Sequence, residues 1–507
     1  MNQDLNILIV SDLHLSAGRN PTTGKTSRLE DFFRDDAFAR FLHYHEGIKD
    51  QPRFGGRPWL LILNGDIFDF LQVLSLPPEG RPLRTVKGVE SHNDLRPHER
   101  TYGLGTAALE SAWKLKQIAR GHPNFFAALG WFVARGNHIA VIRGNHDAEL
   151  HWHHVQDCFI LETNRARTQQ WSRQGGDPPA PLRTCRERIH FYPWLYYEPE
   201  RIYVEHGGQY DPLNHFRDLL NPVLPNDPQH IELPWGSLFV RYLFNRVEDI
   251  HPFADNIKPL TRYLSWAFRK DPIKTLQVLV GRGGTFLKAL WLMGRKAVTS
   301  TLHRSDPADS RVDADTLPLP PPIVEQIQAL AQDKVSSAWL PWAGALLRGL
   351  IWLLTLLIAG AFLGLAGMTL FADAGRPWLS SVYVAAALLA VLLRLWLSQS
   401  ISDLLEQDEL MDAAFALEHI LGARHRVHVI AMGHNHRPAL KRLGDTWYVN
   451  TGAWVRLYRR QGPIQGREAL TFLRLAWDQQ GPPELLRWDD AGSAPQALVL
   501  WDDAGNR

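Results

Sequence analysis

The chain has 507 residues, 45% hydrophobic and 21% charged, which excludes a wholly disordered polymer and leaves room for two or three structural units. Its 55 basic and 53 acidic residues leave a net charge of +2, against a dedicated nucleic-acid binder, whose basic excess is far larger. Two cysteines, Cys158 and Cys185, cannot build a secreted-type disulfide framework and favour a reducing compartment. The opening MNQDLNILIVSD has neither a positive n-region nor a long apolar run and does not read as a signal peptide.

Residues 5–10 (LNILIV) read as a buried strand and 59–63 (WLLIL) as a second. Helical patterns over 105–121 and 123–134 lead into a third strand at 139–143 (IAVIR), and the Gly and Pro content of 172–184 marks a loop. Short strands are expected at 189–192 and 201–205. From 216 to 401 the pattern changes to a helical insertion. Between Arg241 and Arg304 stand 12 Lys or Arg against 4 Asp or Glu, a local excess of eight that leaves the remainder at −6. Leu276, Leu279, Phe286, Leu287, Leu290 and Trp291 recur there at near-helical spacing. Such a cationic amphipathic stretch suits an anionic headgroup layer of membrane lipids; the alternative is packing on the neighbouring domain. Residues 305–322 read as a stiff polar linker, too poor in apolar residues to pack.

Residues 349–372 (GLIWLLTLLIAGAFLGLAGMTLFA) then run 24 positions without a charge, and 378–393 are again apolar. About 20 apolar residues cross a bilayer core, so a two-helix membrane hairpin is expected over 343–397, in preference to a helical pair buried in a soluble core. Arg348 and Arg394 flank the two spans, and by the positive-inside rule the rest of this multi-pass chain lies on the cytoplasmic side. After the hairpin, 402–421 reads as a helix ending at Gly422, followed by strands at 427–432, 446–449 and 470–476. Strands alternating with helices, then a run of strands, predict an α/β fold: a two-sheet β-sandwich flanked by helices, interrupted by an α-helical membrane-associated segment.

The chemistry gathers at strand ends. SDLHL places Asp12 and His14 after the first strand, NGDIFD places Asp66 and Asp69 after the second, and RGNHD places Asn145, His146 and Asp147 after the third. VEHGG contributes His206, and MGHNHRP contributes His434 and His436. Oxygen and imidazole ligands without thiolate suit Mn, Fe or Zn more than a structural zinc. A carboxylate shared by two ions sets up a two-metal clamp for displacement at phosphorus. Glycines before Asp66, Asn145 and His434 are expected to permit the turns that aim these side chains inward. Each piece alone is weak; five in one order, each behind an apolar strand, are not. Gly136-Asn137-His138 repeats the GNH letters but precedes its strand, and reads as an ordinary turn.

The series SDLHL, GDIFD, GNHD, HGG and GHNHRP resembles the calcineurin-like metallophosphoesterases. GHNHRPA followed by YVNTGAW (448–454) is most similar to the branch containing the UDP-2,3-diacylglucosamine pyrophosphatases. The resemblance covers about 1–215 and 406–475, and 1–215 and 402–507 are expected to be the two parts of one catalytic domain split by the insertion. It implies two divalent metal ions, Mn first, with Fe or Zn as alternatives. One ion would be held by Asp12, His14, Asp66 and His436, the other by Asp66, Asn145, His206 and His434. His146 would face the substrate and Asp69 would orient it; Arg19 and Arg437 are weaker candidates for holding a phosphate oxygen. Two positions depart from that branch: His146 stands where Arg is usual, and HGG (Gly207, Gly208) replaces HGD. The expected activity is hydrolysis of a phosphate ester or pyrophosphate bond in a phosphorylated small molecule or lipid-linked substrate. The alternatives are a nucleotide or phosphoprotein phosphatase, or a membrane scaffold that keeps the fold without turnover.

Overall fold

The computed structural model describes residues 4–77, 95, 97–211, 213–241, 245, 312, 316–332, 409–458, 466–479 and 481–498, together with scattered helical residues between 355 and 387. Two compact units divide the chain: Met1–Gln209 with Leu213–Ile327 and Ala414–Arg507, and Tyr210–Pro212 with Gln328–Ala413. In the second unit the described residues from 328 onward are helical.

The first unit is built on two sheets. Strands β1 (Asn6–Val10), β2 (Trp59–Asn64), β3 (His138–Ile142) and β4 (Ile189–Tyr192) run parallel in one sheet. The second sheet begins with β5 (Leu195–Glu198) and β6 (Ile202–Glu205). After a small hairpin, β7 (Val223–Leu224) and β8 (Asp227–Ile231), it resumes with β9 (Val429–Met432), β10 (Ala439–Leu443) and β11 (Thr446–Asn450), in the order β10-β11-β9-β6-β5. Beyond a second hairpin, β12 (Arg456–Tyr458) and β13 (Gly466–Glu468), come β14 (Thr471–Leu475), β15 (Glu484–Asp489) and β16 (Ala494–Ala497), which return antiparallel to finish the first sheet as β16-β15-β14-β1-β2-β3-β4.

The apolar runs follow from burial on both faces. Ile7, Ile9, Leu60, Ile62, Ala140 and Ile142 point between the sheets, against Val204, Val429, Ala431 and Val449. Leu8, Val10, Leu61, Leu63 and Val141 point the other way, into a layer rich in phenylalanine. That layer comes from helices α1 (Asp35–Ile48), which opens on two acidic residues, and α3 (Pro123–Ala134), which opens on its proline. Helices α2 (Ala108–Gly121) and α4 (His153–Gln174) pack beside them.

Three expectations change. Among the described residues no helix is long and apolar enough to cross a membrane. This overturns the multi-pass hairpin over 343–397 and the cytoplasmic orientation derived from it; most of those residues lie outside the described ones. The helix α4 shows why length alone is insufficient: at 22 residues it could span, but HHVQDCFILETNRARTQQWSRQ is too polar. Second, the 305–322 segment does pack where it is described. Leu317 and Leu319 are buried, and Val312 exchanges two hydrogen bonds with Asn221, at 2.7 and 3.2 Å. Third, the loop expected at 172–184 shrinks, because α4 runs to Gln174 and a further helix covers Leu182–Arg188. The amphipathic reading over 276–291 falls outside the described residues.

A buried ionic knot supports the chain behind His14. The Glu30 carboxylate accepts from Ser16 N, Ser16 Oγ, Gly18 N and Phe32 N, and lies 3.1 Å from His122 Nε2. The other ring nitrogen, His122 Nδ1, faces Asp35 at 3.1 Å. Burial alone would lower the pKa of His122, but the charge of Glu30 and the bond to Asp35 outweigh it and raise it from 6.5 to about 10. A raised histidine contributes stability that is whole below pH 6.5 and lost as pH climbs through about 10. One pKa unit is worth about 1.4 kcal/mol, so a rise from 6.5 to about 10 sets the loss at about 5 kcal/mol at most. Urea midpoints measured at pH 6 and pH 10 should therefore fall further for the wild type than for His122→Gln. Equal falls would remove His122 as the cause.

Candidate metal centre

Five residues of the site hold left-handed backbone: Asp12 (φ 54°), His14 (53°), Asp66 (52°), His434 (69°) and His436 (59°). Asp and His are among the few side chains that tolerate this region, and such strain persists where surrounding structure over-determines it. Here the loops are stitched together. Asp12 N donates to Gly65 O (3.1 Å), His14 N to Asp66 O (3.0 Å) and Trp454 N to Asp12 O (3.1 Å). The expected role of the glycines is corrected in part. Gly65 does adopt φ +74°, but Gly144 and Gly433 do not lie in the left-handed region. Their missing Cβ atoms make room instead: one at Gly144 would stand 2.3 Å from Asp66 Oδ1, and one at Gly433 would stand 2.6 Å from Asp12 Oδ2.

Three sets of side chains, the first two sharing His14, bring ligand atoms within 4.8 Å of one another: Asp12, His14 and His436; His14, Asp69 and His146; Asp66, His206 and His434. In the first, His14 Nε2 faces His436 Nε2 at 3.1 Å, and Asp12 Oδ1 lies 3.2 Å from His436 Nε2. In the third, His206 Nε2 stands 3.1 Å from both Asp66 Oδ2 and Asn145 Oδ1. The second set is a hydrogen-bonded chain: Asp69 Oδ2 meets His14 Nδ1 at 3.1 Å and Oδ1 meets His146 Nδ1 at 2.7 Å. His146 N also donates to Asp66 Oδ1 (2.8 Å).

The donor set fits divalent cations. His14 Nδ1 is engaged by Asp69, and His206 Nδ1 donates to Asn64 O at 3.0 Å. Each ring therefore turns its Nε2 lone pair toward other acceptor atoms, the arrangement that orients histidine for a metal. Asp12 Oδ1 is buried with no well-directed donor, His436 Nε2 standing 3.2 Å away, as expected of an atom reserved for an ion. The electrostatics agree. Burial would raise Asp66, yet His206 and His146 hold it well below the usual carboxylate range. Burial likewise opposes the shift at Asp12, which His436 and His206 keep low. His206 itself is raised to about 9, burial being outweighed by the Asp66 charge.

Asp12, His14, Asp66, Asp69, Asn145, His146, His206, His434 and His436 thus converge. Arg437 is partly buried beside His436, whereas Arg19 is exposed with Nε donating to Gly24 O at 2.9 Å, within its own loop. Four supports escaped the sequence reading. Asp147 accepts from Gly144 N (2.6 Å) and Ile67 N (2.8 Å), joining the second and third loops. Ser11 Oγ meets Thr451 Oγ1 at 2.7 Å, which anchors the Asp12 turn to the YVNTGAW segment. Asn64 orients His206, and Asp69 grips His14 as well as His146. The apparent decoy is a structural clamp: Asn137 is buried, accepts from Trp59 N (2.9 Å) and donates to Glu46 Oε2 (2.9 Å).

A family model described as calcineurin-like phosphoesterase matches residues 5–282, more than half of the chain, and the chain belongs to that family. It is a metal-dependent phosphoesterase, a hydrolase of a family that depends on two metal ions. The matched region carries the candidate ligands up to His206; His434 and His436 join them through the fold. No curated protein and no solved structure matches the chain.

Proposed function

We propose that Asp12, His14, Asp66 and His436 hold one divalent ion and that Asp66, Asn145, His206 and His434 hold the second, Mn in preference to Fe or Zn, for hydrolysis of a phosphate ester or pyrophosphate bond in a phosphorylated small molecule. The observation that carries this reading is the paired orientation of His14 and His206, each held at Nδ1 with Nε2 facing another acceptor. When bound, the ions supply Lewis-acid stabilisation of phosphoryl oxygens and a nucleophilic water at neutral pH.

The chain's own residues do the remainder. Asp66, low in pKa and assigned here to both ions, would supply negative charge to each. Asp69 holds Nδ1 of His146 at 2.7 Å, and in this reading the ring meets the substrate through Nε2 and holds the proton for a leaving oxygen there. The narrower likeness to the UDP-2,3-diacylglucosamine pyrophosphatases draws on YVNTGAW, whose visible work is architectural, through Trp454 N to Asp12 O and Thr451 to Ser11. The reading is therefore held to the bond cleaved.

The test is a panel of monoesters, diesters and pyrophosphates, with UDP-linked lipids as one arm, assayed after chelation and after adding back Mn, Fe or Zn. Chelation should reduce turnover about a hundredfold or more, the kinetic equivalent of several kcal/mol, and Mn should restore it best. Full activity in metal-stripped protein would refute the reading.

A further inference from the structure

A cavity of about 570 Å³ lies beside the C-terminal ends of β3 and β4. Three separate parts of the chain build it: Arg143 and His151 around the third loop; Tyr192, Tyr196 and Glu198 on the β4–β5 side, the Glu198 carboxylate accepting from Tyr196 OH (3.2 Å) and Arg201 Nη1 (3.0 Å); and Thr316 and Leu317. The last segment is held in place by the Asn221–Val312 hydrogen bonds. The two tyrosine rings stand edge to face at 5.3 Å. The space is within the range of small-molecule pockets and many times that of a single water.

Arg143 is the unusual wall. It is only 6% exposed, yet among the described residues no carboxylate lies within ion-pair distance of it. Asp147 and Asp218 act on it from farther away. Its Nη1 meets His151 Nδ1 at 3.3 Å and its Nη2 donates to Leu219 O. Those two partners leave most of the five N–H donors of a guanidinium for another acceptor. A buried cation is costly unless compensated, and a planar fork of donors suits an oxyanion. Burial and the Arg143 charge hold His151 down at about 3, so the ring is neutral and accepts at Nδ1, which places its N–H on Nε2.

We propose that this cavity binds an organic anion, with its phosphate, sulfonate or carboxylate group on Arg143 and its aromatic or aliphatic body against Tyr192, Tyr196 and Leu317. The site is separate from the metal ligands and stands whether or not their assignment does.

The probe is naphthalene-2-sulfonate, a flat aromatic anion and a poor metal ligand, titrated calorimetrically into the full chain before and after chelation. One binding event per chain, unchanged by chelation, is expected. Arg143→Gln should weaken it by about tenfold or more, as loss of a charged hydrogen bond does, while Arg143→Lys retains binding. Leu317→Trp should fill the cavity and abolish binding while hydrolysis of bis-p-nitrophenyl phosphate continues. Neutral 2-naphthol should bind about tenfold more weakly or less. If Arg143→Gln does not fold, the Leu317→Trp and 2-naphthol comparisons decide. The proposal is overturned by no binding to the wild type, by equal binding of 2-naphthol, by wild-type affinity in Leu317→Trp, or by binding that disappears with the metals.

Discussion

Asp66→Ala should abolish hydrolysis, by about 10⁴-fold or more, because it removes the one carboxylate common to both proposed ions. The same change deprives His206 of its 3.1 Å partner and His146 N of its 2.8 Å acceptor, so ions and loop order should be lost together. Asp66→Asn is the sharper variant. Asparagine tolerates the φ of 52° and keeps the shape, but it lacks the charge that His206 answers. It should fold with near-wild-type stability and bind metal weakly, as read by metal analysis after dialysis. Wild-type turnover in either variant would end the assignment of Asp66 as the shared ligand.

His146→Ala should cut turnover by about 10²–10⁴-fold, the range for a lost general acid, while about two ions per chain stay bound. The ring touches Asp69 and belongs to neither proposed ion, so metal content and turnover should separate. Asp69→Asn is expected to behave differently, because Asp69 holds both His146 and His14. It should lower turnover and also weaken metal retention, shifting the pH profile of kcat. Loss of one ion on His146→Ala would show that the His14, Asp69 and His146 set is itself a metal site.

The parts of this molecule that were readable in sequence share one property: they are fixed locally. LNILIV, WLLIL and IAVIR are apolar runs that only a strand buried on both faces explains, and the Asp and His pieces directly behind them inherit their position. Helix α4 was not readable because most of its side chains face solvent and its letters lack an apolar stripe. The grip of Asp69 on His14, the tie from Asp147 to Ile67 N, and the exposed placement of Arg19 depend on how loops far apart in sequence meet. Hydropathy over 349–393 suggested membrane crossing, which requires a continuous apolar helix, and no described helix meets that requirement. Gly144 and Gly433 illustrate the same limit: their role is steric clearance, which no rule of backbone torsion reveals.

The order in which the ribosome delivers this chain has a consequence for how the enzyme matures. Strand β1 sits between β2 and β14, pairing Ile7 with Leu475, so one of its edges stays open until residues 471–475 have been made. His434 N reaches Asp12 Oδ2 across a separation of 422 residues. Long-range pairings of this kind form slowly, and an exposed strand edge invites association with other chains in the interval. The turns at Asp12 and His14 therefore wait for partners made more than 400 residues later before they reach the arrangement of the folded chain. Until residues 434–436 have been made, Asp12 and His14 lack the His434 N and His436 partners of the folded chain, and the unpaired edge of β1 is open to other chains.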